Sequence, residues 1–198
     1  MACHVLDRSL FDNLYGKLQA KMANPSDDLV NGVLDSDTAR VLGVLSAHPE
    51  LVSGDPEEAR WLLREASTRN NLAIVEKLVE CGADIHKDDG DSPEGLIYDA
   101  ARDGAIDVVR WMLARGAVLN YDYGSKRRCM TMIAAARTGN LELVRLLVEH
   151  GAEFNLPWNG DTALSAAERE GHREIVKYLS SVGAKRPHEL PGPTSERP

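Results

Sequence analysis

Four stretches of the sequence repeat one pattern, an apolar segment that ends in a Gly-Ala pair. The glycines of these pairs are Gly82, Gly116, Gly151 and Gly183, which lie 34, 35 and 32 residues apart. Apolar residues fall eight, seven and four positions before each glycine, which is the one-sided stripe of an amphipathic helix. A period near 33 residues indicates stacked supersecondary units rather than a single globular core.

Small residues recur at two further positions in each copy. An alanine lies sixteen positions before the glycine, where a small side chain lets two helices approach closely. Twelve positions before the glycine, the copies carry residues that tolerate a left-handed backbone, namely Asn70, Gly104, Gly139 and Gly171. Each copy is therefore predicted to be a helix, a tight turn, a longer helix and a glycine stop.

The predicted first helices begin with capping signals, and the segments between repeats are polar. Asp55 precedes Pro56, Ser92 precedes Pro93, and Thr162 follows an Asn-Gly-Asp turn. The polar segments are expected to form fingers, and they span residues 86–91, 120–128 and 156–161.

Residues 160–172 read Gly-Asp-Thr-Ala-Leu-Ser-Ala-Ala-Glu-Arg-Glu-Gly-His. This segment resembles the Gly-x-Thr-Pro-Leu-His-x-Ala-Ala-x-x-Gly-His motif of the ankyrin-repeat family, with Ala163 for proline and Ser165 for histidine. The other copies lack the Thr-Pro-Leu-His start, but four copies in phase cover residues 56–185. The resemblance implies an all-α solenoid of stacked helix-turn-helix repeats.

A fifth, degenerate copy precedes these four. Val41 starts its apolar stripe, Asp37 takes the turn position, and Val33 takes the position of the recurring alanine. Terminal repeats are expected to be atypical because one face meets solvent. Residues 26–185 are therefore predicted to form five repeats of one domain.

The two ends of the chain are predicted to lie outside the repeats. Within residues 1–25, the segment 7–23 is a predicted helix that caps the open end of the stack, or alternatively binds a partner. Its apolar stripe consists of Leu10, Phe11, Leu14, Tyr15 and Leu18. Residues 186–198 are proline-rich and poor in apolar residues, which predicts a disordered tail.

Composition narrows the classes of function. The net charge of -8 argues against general nucleic-acid binding, which needs a cationic field. No apolar run approaches the length of a membrane span, and the first residues show no secretory pattern. The three cysteines lie far apart, which fits a reducing compartment and favours a cytoplasmic protein.

No pattern in the sequence points to catalysis, a cofactor or a metal. The six histidines do not fall at ligand spacing. The acidic segment 88–91 lacks the alternating ligands and the distal glutamate of a calcium loop. If the repeats instead formed an enzyme or a ligand-binding protein, polar groups would have to converge in a deep pocket. A screen of the purified protein for bound metal or nucleotide would detect such a site.

The ankyrin resemblance implies that the residues just before each turn face a concave groove. Three consecutive repeats carry an arginine at the same offset there: Arg102, Arg137 and Arg169. With repeats about 10 Å apart, the guanidiniums are predicted to form a column that binds an acidic segment of a partner. Arg69 lies beside the same position one repeat earlier. Alternatively, each arginine is solvated or pairs with Asp103, Glu170 or a finger acid, which contributes about 0–1 kcal/mol.

Two fingers carry candidate anchors for a protein interface. The finger at 120–128 is long and contains Tyr121, Tyr123 and Arg127, and the next finger carries Trp158. Tyrosine, tryptophan and arginine dominate interface hot spots. These side chains could instead pack on the neighbouring finger. On the second helices, one shared offset is occupied by Trp111, Leu146 and Tyr178, and Lys77 breaks this row. The three residues are predicted to be inter-repeat core, with an exposed hydrophobic patch as the alternative.

The sequence therefore favours a non-enzymatic binding protein that is monomeric when unbound and uses its groove on one protein partner. Two roles within this class are open. One is a scaffold or adaptor that recruits the partner. The other is a dedicated inhibitor, such as an immunity protein, that occludes an enzyme or toxin. Fold alone does not choose between them.

Overall fold

The computed structural model describes residues 24–85, 95–123 and 126–190. The predicted helix at 7–23, the finger at 86–91 and the Ser92 cap lie outside these residues. Within them the chain is mostly helical. The paired helices of successive repeats are α1 (Pro25–Leu34) and α2 (Thr38–Ala47), α4 (Pro56–Thr68) and α5 (Leu72–Glu80), α6 (Gly95–Arg102) and α7 (Ile106–Ala114), α8 (Met130–Thr138) and α9 (Leu141–Glu149), and α10 (Ala163–Glu170) and α11 (Arg173–Ser181).

Three smaller elements connect or extend these pairs. The short helix α3 (Glu50–Gly54) leads from the first repeat to the second. The finger after α7 is an antiparallel hairpin of β1 (Tyr121–Tyr123) and β2 (Lys126–Arg128). A 3-10 turn at Pro187–Glu189 follows α11.

The helix pairs stack in one row. Each first helix contacts the first helix of the next repeat, from α1 on α4 through α8 on α10, and the second helices do the same from α2 on α5 through α9 on α11. The predicted all-α solenoid is therefore confirmed. None of the helices in the described ranges combines the length and the apolar character that a membrane crossing requires.

The positions predicted for the turns are confirmed in four repeats. Asn70, Gly104, Gly139 and Gly171 all have left-handed backbones, with φ between 54° and 78°. The recurring alanines sixteen positions before each Gly-Ala pair are at most 1% exposed, which allows the close helix contact that their size predicts. Asn70 also binds the next repeat. Its side-chain oxygen accepts hydrogen bonds from the backbone N–H groups of Asp107 (3.1 Å) and Val108 (3.2 Å).

The register predicted for the first repeat was wrong by one residue. Ser36, with a φ of 55°, is the left-handed residue, whereas Asp37 is the N-cap of α2 and accepts from the N–H of Arg40 at 3.0 Å. An aspartate carboxylate stabilises a helix start more than a turn centre, which explains the shift. The position of the recurring alanine therefore falls on buried Gly32 and not on Val33, and a Cβ at Gly32 would lie 2.9 Å from Cγ2 of Val41.

The row predicted to be inter-repeat core packs as expected. Trp111 is 8% exposed and Leu146 is 4% exposed, while Tyr178 is half-buried against the core. The indole N–H of Trp111 donates to Glu76 of the preceding repeat at 2.8 Å, so its polar atom is satisfied as it is buried. Trp111 thereby links its repeat to the preceding one, and the guanidinium carbon of Arg145 lies 4.9 Å from the ring centre of Tyr178 in the following repeat.

The C-terminal end of the stack extends slightly past the last repeat. Thr162 and Ser165 form a reciprocal capping box at the start of α10, as the predicted N-cap requires, and the Thr162 hydroxyl donates to the carbonyl of Lys185 at 2.8 Å. Arg186 pairs with Glu168 at 2.6 Å and with Glu189 at 3.2 Å. Residues 186–190 thus differ from the predicted disordered tail, and residues 191–198 lie outside the described chain.

Candidate functional site

The arginine column predicted from the sequence occupies equivalent positions in three repeats. Arg102 ends α6, Arg137 lies one residue before the end of α8, and Arg169 lies one residue before the end of α10. Their side chains are 50%, 42% and 51% exposed. Each guanidinium is therefore accessible beside a left-handed turn, at the C-terminal end of a first helix.

Arg137 and Arg169 converge on a single carboxylate. Nη2 of Arg137 donates to Oδ2 of Asp161 at 2.9 Å, and Nη1 of Arg169 donates to the same oxygen at 2.6 Å. Asp161 belongs to the finger before α10, and its side chain is only 16% exposed. Arg169 also lies 3.5 Å from Glu170. A finger acid thus joins two members of the column, as the pairing alternative expects.

The shared contact changes the protonation behaviour of Asp161. Burial raises the pKa of this carboxyl group, but its hydrogen bonds to Arg169 and Arg137, with their charges, lower it more. The resulting pKa lies below the ordinary value. Because the pKa of Asp161 is lower in the folded chain, its ionised carboxylate stabilises the fold at pH values above the unfolded pKa of about 3.9. This stabilisation is lost as the pH falls through the folded pKa.

This sign gives a testable pH dependence. We expect Asp161→Asn to lower the free energy of unfolding at pH 7, and the difference from the unsubstituted chain to narrow as the pH falls below about 4. Urea unfolding at a series of pH values measures it. In a background with both Arg137→Gln and Arg169→Gln, burial alone acts on the carboxyl group, so Asp161→Asn should no longer lower the free energy of unfolding at pH 7. A difference that stays constant in the native background would contradict the assignment.

Arg102 belongs to a second cluster, built on a buried acid of its own helix. Asp99 is 7% exposed, and its carboxylate lies 2.9 Å from Nη1 of Arg102 and 3.0 Å from Nε of Arg64 in the preceding repeat. Arg102 also donates to Asp103 at 3.2 Å, and this hydrogen bond is the main cause that raises the pKa of Arg102. Its guanidinium carbon lies 5.9 Å from the ring centre of Tyr98. Asp99 thus fixes two arginines across a repeat boundary.

Arg69 is placed differently. It follows α4 as the C-cap residue, and its guanidinium binds the carboxylate and, at 3.1 Å, the backbone carbonyl of Glu65 in the same helix. Its described contacts therefore stay within one repeat. The column as a binding site remains a prediction, in which a partner carboxylate would compete with the acids that already contact Arg102, Arg137 and Arg169.

The two described fingers contact one another through an arginine and a tryptophan. The guanidinium carbon of Arg128, at the end of β2, lies 4.1 Å from the ring centre of Trp158. Trp158 also exchanges two backbone hydrogen bonds with Asp161, at 2.8 and 2.9 Å, and packs partly on the core. The side chain of Tyr121 is half-buried, and those of Tyr123 and Arg127 lie outside the described part of the structure. Trp158 therefore packs on the neighbouring finger while remaining partly accessible.

Two asparagines, at or just before the described fingers, attach them to the segment that follows the next second helix. The side chain of Asn120 donates to the carbonyl of Gly151 at 2.8 Å and accepts from the N–H of Glu153 at 2.9 Å. Asn155 makes the same pair of contacts one repeat later, with Gly183 at 3.3 Å and Lys185 at 2.7 Å. The fingers are thereby held in a defined position relative to the helix ends.

Sequence reasoning missed four of the residues that define this surface, namely Arg64, Asp99, Arg128 and Asp161. One signal was present for Asp99, because it precedes a recurring alanine at a position where α8 and α10 carry Ala134 and Ala166. A charge at a position that is small and apolar in two other repeats, although α4 carries Glu65 there, indicates a specific partner. The contacts of Arg128 and Asp161 depend on finger geometry, which the sequence pattern does not give.

Two histidines of the described chain contact backbone carbonyls. Nδ1 of His150 lies 2.8 Å from the carbonyl of Leu146, and Nε2 of His172 lies 2.9 Å from the carbonyl of Arg137. Among the described residues, no group of three histidine, cysteine, aspartate or glutamate side chains is placed to hold a metal ion.

Comparison with known proteins agrees with the fold. A family model for ankyrin repeats matches three copies across residues 97–187. An ankyrin repeat and KH domain-containing protein of Caenorhabditis elegans is 30% identical over 141 residues, which is 71% of this chain. An ankyrin repeat, SAM and basic leucine zipper domain-containing protein of Dasypus novemcinctus is 28% identical over 157 residues, or 78% of this chain. A putative palmitoyltransferase of Danio rerio is 27% identical over 139 residues, or 70% of this chain.

The similarity is confined to part of each relative. The chain spans 5%, 31% and 20% of the lengths of these three proteins, respectively. Ankyrin-repeat domains are generally non-catalytic and generally act in protein–protein interaction. The stacked helix pairs, the left-handed turns and these matches together show that the chain belongs to the ankyrin-repeat proteins.

Proposed function

We propose that the chain is a non-enzymatic module that binds one protein partner through its concave groove and its fingers. The observation that carries the proposal is the set of accessible arginines, Arg102, Arg137 and Arg169, each held by an acid at the end of a first helix. The partner is proposed to present an acidic segment to these side chains.

The held arginines would bind at a lower entropic cost than free ones. A guanidinium carries five N–H donors, and the contact of Arg137 with Asp161 engages only one nitrogen. An arginine that is already fixed loses little rotamer freedom when a partner carboxylate binds its remaining donors, a saving of about 0.5–1.5 kcal/mol per side chain. Asp99 and Asp161 would therefore act as positioning residues for the groove.

The fingers would complete the interface beside the arginines. Trp158 is partly accessible, is fixed by backbone contacts to Asp161, and carries Arg128 on its ring. A large aromatic side chain held in one conformation is a common anchor in protein interfaces. With Tyr121 and the predicted Tyr123 and Arg127 in the preceding finger, it would contact the partner at the rim of the groove.

Charge reversal in the groove tests the proposal. We expect the triple variant Arg102→Glu, Arg137→Glu and Arg169→Glu to lower the affinity for the partner at least tenfold, about 1.4 kcal/mol, since attraction becomes repulsion. The partner is first captured from native lysate on the unsubstituted chain, and its affinity for each variant is then measured by calorimetry. Circular dichroism checks that each variant keeps its helicity.

A matched control changes the same number of charges elsewhere. Arg110, Arg145 and Arg173 lie on second helices and are also exposed, and Arg110 has a comparable ion pair with Glu142 at 2.9 Å. Replacing all three with glutamate should leave the affinity within twofold. If both triple variants bind equally well, the groove proposal fails and the binding site is assigned to the fingers that carry Tyr121 and Trp158.

The activity of the captured partner, measured with and without this chain, then separates an adaptor from an inhibitor.

A further inference from the structure

The N-terminal end of the stack presents a surface that other repeats cover. Seven positions after the left-handed turn, the third to fifth repeats carry Trp111, Leu146 and Tyr178, which pack on the core, while the second repeat carries Lys77. In the first repeat this position, counted from Ser36, is Gly43. No described atom lies within 4 Å of where a Cβ of Gly43 would be. The face that would meet a preceding repeat is therefore open within the described chain.

Helix α2 carries fewer charged residues than a terminal helix usually presents to water, whereas α1 exposes Asp27 and Asn31. Helix α2 contains one ionisable residue, Arg40, and its guanidinium pairs with Asp28 of the same repeat. Val30 and Val44 are half-buried on the core, and Leu34 is 40% exposed. Solenoid ends that meet solvent normally carry polar residues.

The opposite end of the stack shows what a solvated end looks like in this chain. On α11, Arg173, Glu174 and Lys177 are all exposed, and Arg186 pairs with Glu168 at the same end. The second helices at the two ends of the described stack therefore differ in the polarity of their surfaces.

The chain itself supplies a segment that fits this face. Twenty-three residues precede Asn24, the N-cap of α1, and they include the apolar stripe of Leu10, Phe11, Leu14, Tyr15 and Leu18. A helix over residues 7–23 would be about 25 Å long, enough to cross α2, which at ten residues is about 15 Å long. Because the segment is joined directly to α1, docking closes only a short loop.

We propose that residues 7–23 form a helix that docks on the outward face of α1 and α2. Its apolar stripe covers Val30 and Val44, and the missing side chain at Gly43 makes room for one of its large residues. The segment then replaces a preceding repeat and completes the stack. This inference is independent of the groove and its partner.

A substitution at Gly43 gives results of opposite sign for a covered and an open face. On a solvated helix, Gly43→Arg gains helix propensity and should raise the Tm by about 2–3 °C. Under a docked helix, the same side chain displaces the segment and buries a charge, so the Tm of the full-length chain should fall. A rise in Tm would overturn the proposal.

A second substitution links the effect to the segment. Leu14→Glu should lower the Tm and speed hydrogen exchange of the α2 amides at least tenfold, and in this background Gly43→Arg should become stabilising. Asn13→Glu, on the opposite side of the predicted stripe, is the matched control and should leave exchange unchanged. Unchanged exchange in Leu14→Glu would show that the segment does not cover α2. A Tm that rises with protein concentration, together with dimers in sedimentation, would assign the face to a second copy instead.

Discussion

Replacing Gly139 with alanine is expected to lower the free energy of unfolding by about 2–3 kcal/mol. The backbone of Gly139 is left-handed, with a φ of 78°, so any side chain costs about 1–2 kcal/mol there. A Cβ would also lie 2.8 Å from Cε1 of His172 in the next repeat. Moving this ring breaks its 2.9 Å contact with the carbonyl of Arg137, which costs about 1 kcal/mol more.

Gly104 provides the matched control for this experiment. Its φ is 75°, but no described atom lies within 4 Å of where its Cβ would be. Gly104→Ala should therefore cost only the backbone strain, about 1–2 kcal/mol in urea unfolding. In a His172→Ala background the two substitutions should cost the same. Equal costs in the native background would show that His172 does not link these repeats as the structure indicates.

Truncating Leu147 to alanine is expected to cost about 3 kcal/mol and to be the most damaging of the single substitutions considered. Leu147 lies on α9, is fully buried, and belongs to the core that runs through the stack. Because repeats contact only their neighbours, the cavity weakens both boundaries of a central repeat. The measurement is the free energy of unfolding, with Val118→Ala, at a 51% exposed position, as the control that should change it by less than about 0.5 kcal/mol.

The equivalent residue of the last repeat separates local from global effects. Leu179 is just as buried on α11, but its repeat has a neighbour on one side only among the described elements. Leu179→Ala should therefore speed hydrogen exchange mainly in α10 and α11, whereas Leu147→Ala should raise it on both sides of α9. Uniform loss of protection in both variants would contradict a nearest-neighbour stack.

The repeat architecture could be predicted because it depends on local and periodic rules. A single physical rule selects the residue type at each of three kinds of position: glycine at a left-handed turn, alanine at a close helix contact, and an N-cap such as Asp55 before Pro56. The structure has these residues where the sequence predicts them. The single register error, at Asp37, arose where two local rules compete. A carboxylate can end a turn or cap a helix, and in the first repeat no glycine decides between them.

The candidate site could be predicted only in part, because surface contacts depend on how fingers fold back on helices. The common offset of Arg102, Arg137 and Arg169 is visible in the sequence, but the shared carboxylate of Asp161 is not. Asp161 lies 24 residues from Arg137 along the chain and meets it only because Trp158 and Asp161 close a tight turn. Such pairings follow from loop geometry rather than from periodicity.

One regularity of the stack bears on how such a chain can diversify. The second helices from α5 to α11 all have nine residues, although the distance between successive left-handed turns varies from 32 to 35 residues. The extra length falls before the first helices, where the longest interval contains the β1–β2 hairpin. Insertions and deletions in these segments leave the stacked helices in register. The fingers can therefore change in length and sequence while the helices that position them stay the same.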